Sequence, residues 1–165
     1  MEKRKIPIVD ENDNIIEFKD RREVKINDVY RATGLWIENK KGEILMAQRS
    51  FSKKNSPGKW GPAVSGTVEY GETYDSNIIK EAQEEIGLVG QEFEKIGKIR
   101  ITGQHNYFAM WYLAHLDRKI DEFKIDPIEV EDIKWFRKEK LLEMLEKRPQ
   151  DMVDGIEQSR KLLNI

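Results

Sequence analysis

Three glutamates, Glu81, Glu84 and Glu85, crowd into the stretch KEAQEEIG, just before a glycine that reads as a helix stop. The C-terminal end of a helix carries partial negative charge, so carboxylates gathered there are unfavourable unless something positive lies among them. Like charges at i,i+3 and i,i+4 add mutual repulsion, and Lys80 offers one nearby positive charge. A divalent cation that prefers oxygen ligands would reverse all of these penalties together. The competing reading is an amphipathic helix with a solvated acidic face, whose apolar sector is Ile78, Ile79, Ala82 and Ile86.

The elements that must position these glutamates can be read along the chain. IPIVDENDNIIEF is two short strands around a turn rich in Asp and Asn, and YRATGLWIENKKGEILMAQRS is a hairpin turning at Gly42. FSKKNSPGKWG is loop-like, and GPAVSGTVEYGE is a short strand followed by a glycine-bearing loop. TYDSNIIKEAQEEIGL is a helix with Thr73 as N-cap and Gly87 as its stop. Two strands follow between about 92 and 116, separated near TGQHN, and EVEDIKWF is the last strand. Helices are expected over RKEKLLEMLEK and MVDGIEQSRKLLN, with Pro149 between them. Strands interspersed with three helices indicate α/β or α+β layering around a mixed sheet.

Composition sets outer bounds. A chain of 165 residues is expected to form one domain, with N-terminal strands in 1–25, the glutamate segment in 66–88 and C-terminal helices in 137–165. Net charge is −2, from 29 basic and 31 acidic residues, which excludes the electrostatic footprint of a duplex nucleic-acid binder. There is no cysteine, hence no thiolate nucleophile and no thiolate zinc site, and the two histidines disfavour a histidine-rich metal site. No apolar run approaches a membrane span, and MEKRKIPIVDENDN lacks the apolar core of a signal peptide, so the expected location is cytoplasmic.

Gly66 is followed after five residues by Glu72, and after seven more by KEAQEEIGL. This resembles the signature of the Nudix hydrolases, with Gly66, Glu72, Glu81, Glu84, Glu85, Gly87 and Leu88 matching in place. Ala82 is a weak fit at an aliphatic position, and Lys80 stands where the family has arginine. The resemblance implies an α/β/α sandwich with a central mixed sheet and a catalytic loop–helix–loop. It also implies Mg²⁺ or Mn²⁺ on the box glutamates and hydrolysis of a nucleoside diphosphate linked to another group. Glu81, Glu84 and Glu85 would form the metal and catalytic set, and Glu72 would orient the loop or the helix lysine. The proton acceptor stays open among Glu85, Glu129 and Glu131. Arginine would hold the carboxylates through a planar fork, whereas Lys80 keeps only the charge.

A diphosphate substrate needs cations. Arg49 and Lys59 are the chosen contacts, with Arg31 as a third, since arginine grips phosphate bidentately and lysine acts as a point charge. Lys53 and Lys54 read as a solvated loop pair. Trp60 either stacks a base or seals the core. His105 and Tyr107 lie where related enzymes often place substrate-reading residues.

The likeness extends through VDENDNIIEF, RREV, SPGKW and KRPQDMVDGIEQSRKLL to the Nudix branch related to type I isopentenyl-diphosphate isomerase. That isomerase uses a catalytic cysteine and several histidine ligands. This chain has no cysteine and no histidine before position 105, so the isomerase reaction itself is excluded. The leading expectation is a metal-dependent hydrolase of a diphosphate bond in a small nucleotide. A housecleaning nucleoside triphosphate pyrophosphatase, a nucleotide-sensing module without turnover and an RNA-cap pyrophosphatase are the alternatives. No duplex nucleic acid or membrane is expected as a partner, and a homodimer is allowed.

Overall fold

The computed structural model describes residues 5–165. The start of the expected N-terminal segment, residues 1–4, lies outside them. Strands β1 (Lys5–Val9) and β2 (Ile15–Asp20) form an antiparallel pair. Then follow β3 (Tyr30–Glu38), β4 (Ile44–Arg49), β5 (Trp60–Pro62) and β6 (Val64–Thr67). Helix α1 (Tyr74–Ile86) leads to β7 (Glu94–Ile101), β8 (Tyr107–His115) and β9 (Val130–Phe136). Helices α2 (Lys138–Lys147) and α3 (Ile156–Arg160) complete the chain, with short 3-10 turns between elements.

The larger sheet runs β5-β4-β3-β8-β7, with β6 on β3 and β9 on β4. It is mixed, because β3 and β8 are parallel from Tyr30 opposite Tyr107 to Glu38 opposite His115, while the other strand pairs run antiparallel. Strand β3 is buried without interruption from Thr33 to Ile37, as a strand covered on both faces must be. On one face Leu35 and Ile37 join Ile78, Ala82 and Ile86 of α1. On the other, Trp36 and Trp111 join Leu141, Met152 and Ile156. The expected α/β/α layering around a mixed sheet is what these two cores build.

Helix α1 matches its local signals. The Thr73 hydroxyl accepts the Ser76 N–H, and the Ser76 hydroxyl accepts the Thr73 N–H. Gly87 closes the helix in the left-handed region at φ 69°.

The hairpin between 30 and 50 is present and turns at Gly42, φ 76°, but its ladder is short, with Glu38 opposite Ile44. Beyond that point β3 turns to β6 and β8, and β4 to β5 and β9. The second C-terminal helix covers Ile156–Arg160 rather than the whole of MVDGIEQSRKLLN. Met152 and Val153 run extended beside β5, where the Val153 N–H donates to the Trp60 carbonyl at 2.9 Å. Gly155, at φ 85°, then turns the chain into α3.

Candidate active site

Glycine 66 lies on β6 against the C-terminal half of α1. A Cβ at this position would sit 2.8 Å from the Glu81 Cδ and closer still to its Cγ, and 3.0 Å from the Asn77 Oδ1. Only a residue without a side chain lets the strand and the carboxylate approach this closely. Asn77 is fully buried and ties the two elements together: its amide donates to the Thr67 carbonyl, and its oxygen accepts from the Thr33 hydroxyl.

Glu72 acts as the sequence suggested. One carboxylate oxygen accepts the Glu69 N–H at 2.8 Å and the Asn77 amide at 3.3 Å, and the other lies 3.0 Å from the Lys80 Nζ. Lys80 is also 3.3 Å from Glu69 and 3.5 Å from Glu81. Burial works against its charge. The hydrogen bond to Glu72 and the charges of Glu81, Glu72 and Glu69 outweigh burial and hold its proton above the usual lysine range. Lys80 therefore offsets part of the negative charge of Glu69, Glu72 and Glu81.

It does not reach Glu85. That side chain is only 9% exposed, and burial pushes its carboxyl well above the ordinary range. The charges of Glu81 and Glu129 push it further, against a hydrogen bond from the Ser65 N–H and the charge of Arg49. Burial and Glu84 likewise raise Glu81, against Lys80. A groove of about 30 Å³ opens beside Glu85, walled by Gln48, Arg49, Ser65, Glu129 and Val153. A larger hollow of about 460 Å³ lies on the flank of α1 facing β7 and β8, lined by Asp75, Ile78, Phe93, Lys95 and Tyr112. None of the box glutamates lines it, so size does not identify the site here.

The remaining candidates divide. Arg49 lines the groove and donates through Nε to the Asn55 carbonyl, holding the 50–59 loop. Glu129 faces Glu85 across the groove, and Lys53, taken from sequence as a solvated charge, donates to it at 2.6 Å. Glu84 is exposed, and its charge is felt at Glu81. Among the described residues, no three His, Asp or Glu side chains converge as a ready-made metal site. Glu131 is exposed on β9, and Lys59 does not line the groove. Arg31 is held by Asp13, its Nε 2.7 Å from the carboxylate, and lies over the Tyr74 ring at the opposite end of α1. Glu85 is eleven positions beyond Tyr74, roughly 16 Å along a helix. Trp60 packs on Phe136 in the core, and Tyr107 stacks on Tyr30. Sequence reasoning missed Ser65, Gln48 and Val153. Ser65 and Val153 depend on strand pairings distant in sequence, while Gln48, one residue before Arg49, carried a local hint.

A family profile for the NUDIX domain matches residues 29–156. The chain belongs to the Nudix family. A Nudix hydrolase of Yersinia pestis is 28% identical over 137 residues, covering 82% of this chain and 74% of the relative. An isopentenyl-diphosphate Delta-isomerase of Citrobacter koseri is 27% identical over 128 residues, covering 73% and 69%. Similarity to an isomerase alongside absence of cysteine places this Nudix protein near that branch without its reagents. The DR0079 structure from Deinococcus radiodurans superposes with a TM-score of 0.83 at 21% identity, covering 96% of this chain and 98% of the other. Among the described residues of this Nudix chain, no helix is long and apolar enough to cross a membrane.

The donor chemistry fits the divalent cation that the family implies. Glu81 and Glu85 lie one turn apart with hard oxygen donors, and burial beside other carboxylates raises the proton affinity of both. Two carboxylates suit an ion that keeps several waters and takes its other ligands from substrate.

Proposed function

We propose that this Nudix enzyme hydrolyses a diphosphate bond in a nucleoside diphosphate, free or linked to another group, by attack of water on phosphorus. One observation carries the reading: a buried carboxylate, Glu85, under the charges of Glu81 and Glu129, in a groove that Glu129 and Arg49 also line. Burying a carboxylate beside two others is costly unless a cation or a proton joins them.

Glu81 and Glu85 would hold Mg²⁺ or Mn²⁺, with Glu84 at the rim. When bound, that ion neutralises phosphate oxygens and makes a water more acidic. Arg49 binds the phosphate through the guanidinium nitrogens left free by its Asn55 bond. Gly61, Pro62 and Val153 wall the groove and limit the water inside it. A water oxygen forms the new bond to phosphorus as the bridging P–O bond breaks, and the electron pair leaves with the departing phosphate. The water proton passes to a carboxylate. Glu129 is the better placed acceptor, because it lines the groove while Glu131 does not.

The test is hydrolysis of a panel of nucleoside diphosphates, triphosphates and nucleotide sugars with Mg²⁺ or Mn²⁺, read as released phosphate or monophosphate. Turnover of diphosphates or nucleotide sugars, lost on Glu85→Gln, supports the proposal. Turnover confined to triphosphates would replace it with a triphosphate pyrophosphatase. No turnover on any of them would overturn it.

A further inference from the structure

The 50–59 loop is fastened to the groove by several hydrogen bonds. Its first residue donates from the Ser50 N–H to the Glu129 carbonyl at 3.0 Å, and the Gly58 N–H returns to the Arg49 carbonyl at 3.0 Å. A side-chain tie is made by Lys53, whose Nζ donates to the Glu129 Oε2 at 2.6 Å across 76 positions of sequence. Both side chains are about one-third exposed, so the pair sits at the mouth of the groove rather than in the core. Glu129 lines the groove together with the buried Glu85, and its charge acts on that carboxyl.

We propose that Lys53 is a positioning residue that hands over from Glu129 to the substrate. Without substrate, its ammonium occupies one oxygen of Glu129. An arriving diphosphate brings a denser negative charge to the same mouth and competes for that ammonium. Lysine suits such an exchange, because it is a compact point charge on a flexible four-carbon stem, not a planar fork locked to one partner. Transfer of Lys53 to a phosphate oxygen adds a substrate contact and frees the Glu129 oxygen beside the reacting water. Binding and exposure of the proton acceptor become one event, and Glu129 is bare only when an anion is present to be cleaved. This inference rests on the proposed diphosphate reaction for its purpose, but the exchange itself can be tested without turnover.

The test is a double-mutant cycle on the affinity of Mg²⁺–inorganic pyrophosphate, measured by calorimetry on the full chain. Lys53→Met should weaken binding about tenfold, the scale of one hydrogen bond between charged groups. Glu129→Gln should tighten it by a similar factor, because Lys53 no longer has a competing partner. In the Lys53→Met background, Glu129→Gln should then have no effect. Lys53→Arg should restore much of the affinity, which separates a charge role from loop misfolding. Tightening by Glu129→Gln that persists without Lys53 would show plain repulsion and overturn the exchange. So would unchanged affinity in Lys53→Met. Failure of the hydrolase reading would appear as absent turnover with the binding cycle intact.

Discussion

Lys80 Nζ lies 3.0 Å from Glu72 Oε2, joining the loop before α1 to the helix that carries the box glutamates. The same ammonium is within 3.5 Å of Glu81, so one lysine spaces a structural carboxylate and a candidate metal ligand. Removing it leaves Glu69, Glu72 and Glu81 facing one another. Lys80→Met should weaken Mn²⁺ binding or activity by about 10–100-fold, the usual cost of losing a group that orients a metal ligand. Lys80→Arg should retain activity, since the charge and reach remain. Metal titration of the hydrolysis rate checks both, and a Lys80→Met enzyme with an unaltered metal midpoint would contradict the argument.

Gly66 should tolerate no side chain. A methyl group would fall 2.8 Å from the Glu81 Cδ and within contact of Asn77, whose amide joins β6 to α1. Gly66→Ala should destabilise the fold by about 1–3 kcal/mol, as overpacking of a filled site does, and should also move Glu81. Thermal unfolding together with metal affinity measures the two effects. A variant with wild-type affinity would mean that Glu81 takes no part in binding the ion.

Arginine 31 and arginine 49 should fail differently. Arg31 clamps Asp13 with two hydrogen bonds, to the carboxylate and to the backbone carbonyl, and Lys98 and Tyr74 complete that anchor of the β1–β2 turn. Arg31→Ala should therefore cost about 1–3 kcal/mol of stability, the price of lost charged hydrogen bonds, with KM unchanged. Arg49→Ala should raise KM for the diphosphate, because Arg49 lines the groove. Denaturant unfolding and steady-state kinetics on the same two proteins separate these outcomes.

What could be read from the sequence follows the range of the forces involved. Thr73 and Gly87 mark the ends of α1 because capping satisfies backbone groups a few residues away. The Gly66-to-Glu85 spacing was legible because strand, loop and helix are contiguous there. The β3–β4 hairpin and its turn at Gly42 were legible, but not how short its pairing is, because β3 finds its main partners in Val64–Thr67 and Tyr107–His115, which no local pattern announces. The helix expected from Met152 fails because Val153 gains a bond to Trp60, nearly a hundred positions earlier in the chain. That same pairing brings Val153 to the groove, which explains why the wall beside Glu85 could not be foreseen. Lys53 looked like a solvated charge because its partner, Glu129, is also distant in sequence.

The buried Glu85 makes the stability of the fold depend on pH. Burial and the charges of Glu81 and Glu129 raise its proton affinity in the folded chain above that of the unfolded one. In that interval the folded state holds more protons, so this group's contribution makes stability fall as pH rises. Paired carboxylates elsewhere, such as Asp28 and Asp75, are shifted the opposite way and contribute the opposite slope. The quantity to measure is therefore the difference in Tm between Glu85→Gln and wild type, in chelator, from about pH 5 to about pH 8. Glu85→Gln should be the more stable protein at the alkaline end, with the advantage shrinking toward the acidic end. Glu81 is raised as well and acts on Glu85, so the transition belongs to the pair and not to one residue. Added Mg²⁺ or Mn²⁺ should raise the Tm of wild type and leave that of Glu85→Gln nearly unmoved, since a ligand stabilises only a fold that binds it. A constant Tm difference across the whole pH range would mean that Glu85 keeps its charge without help, and the case for a cation in the groove would lose its physical cause.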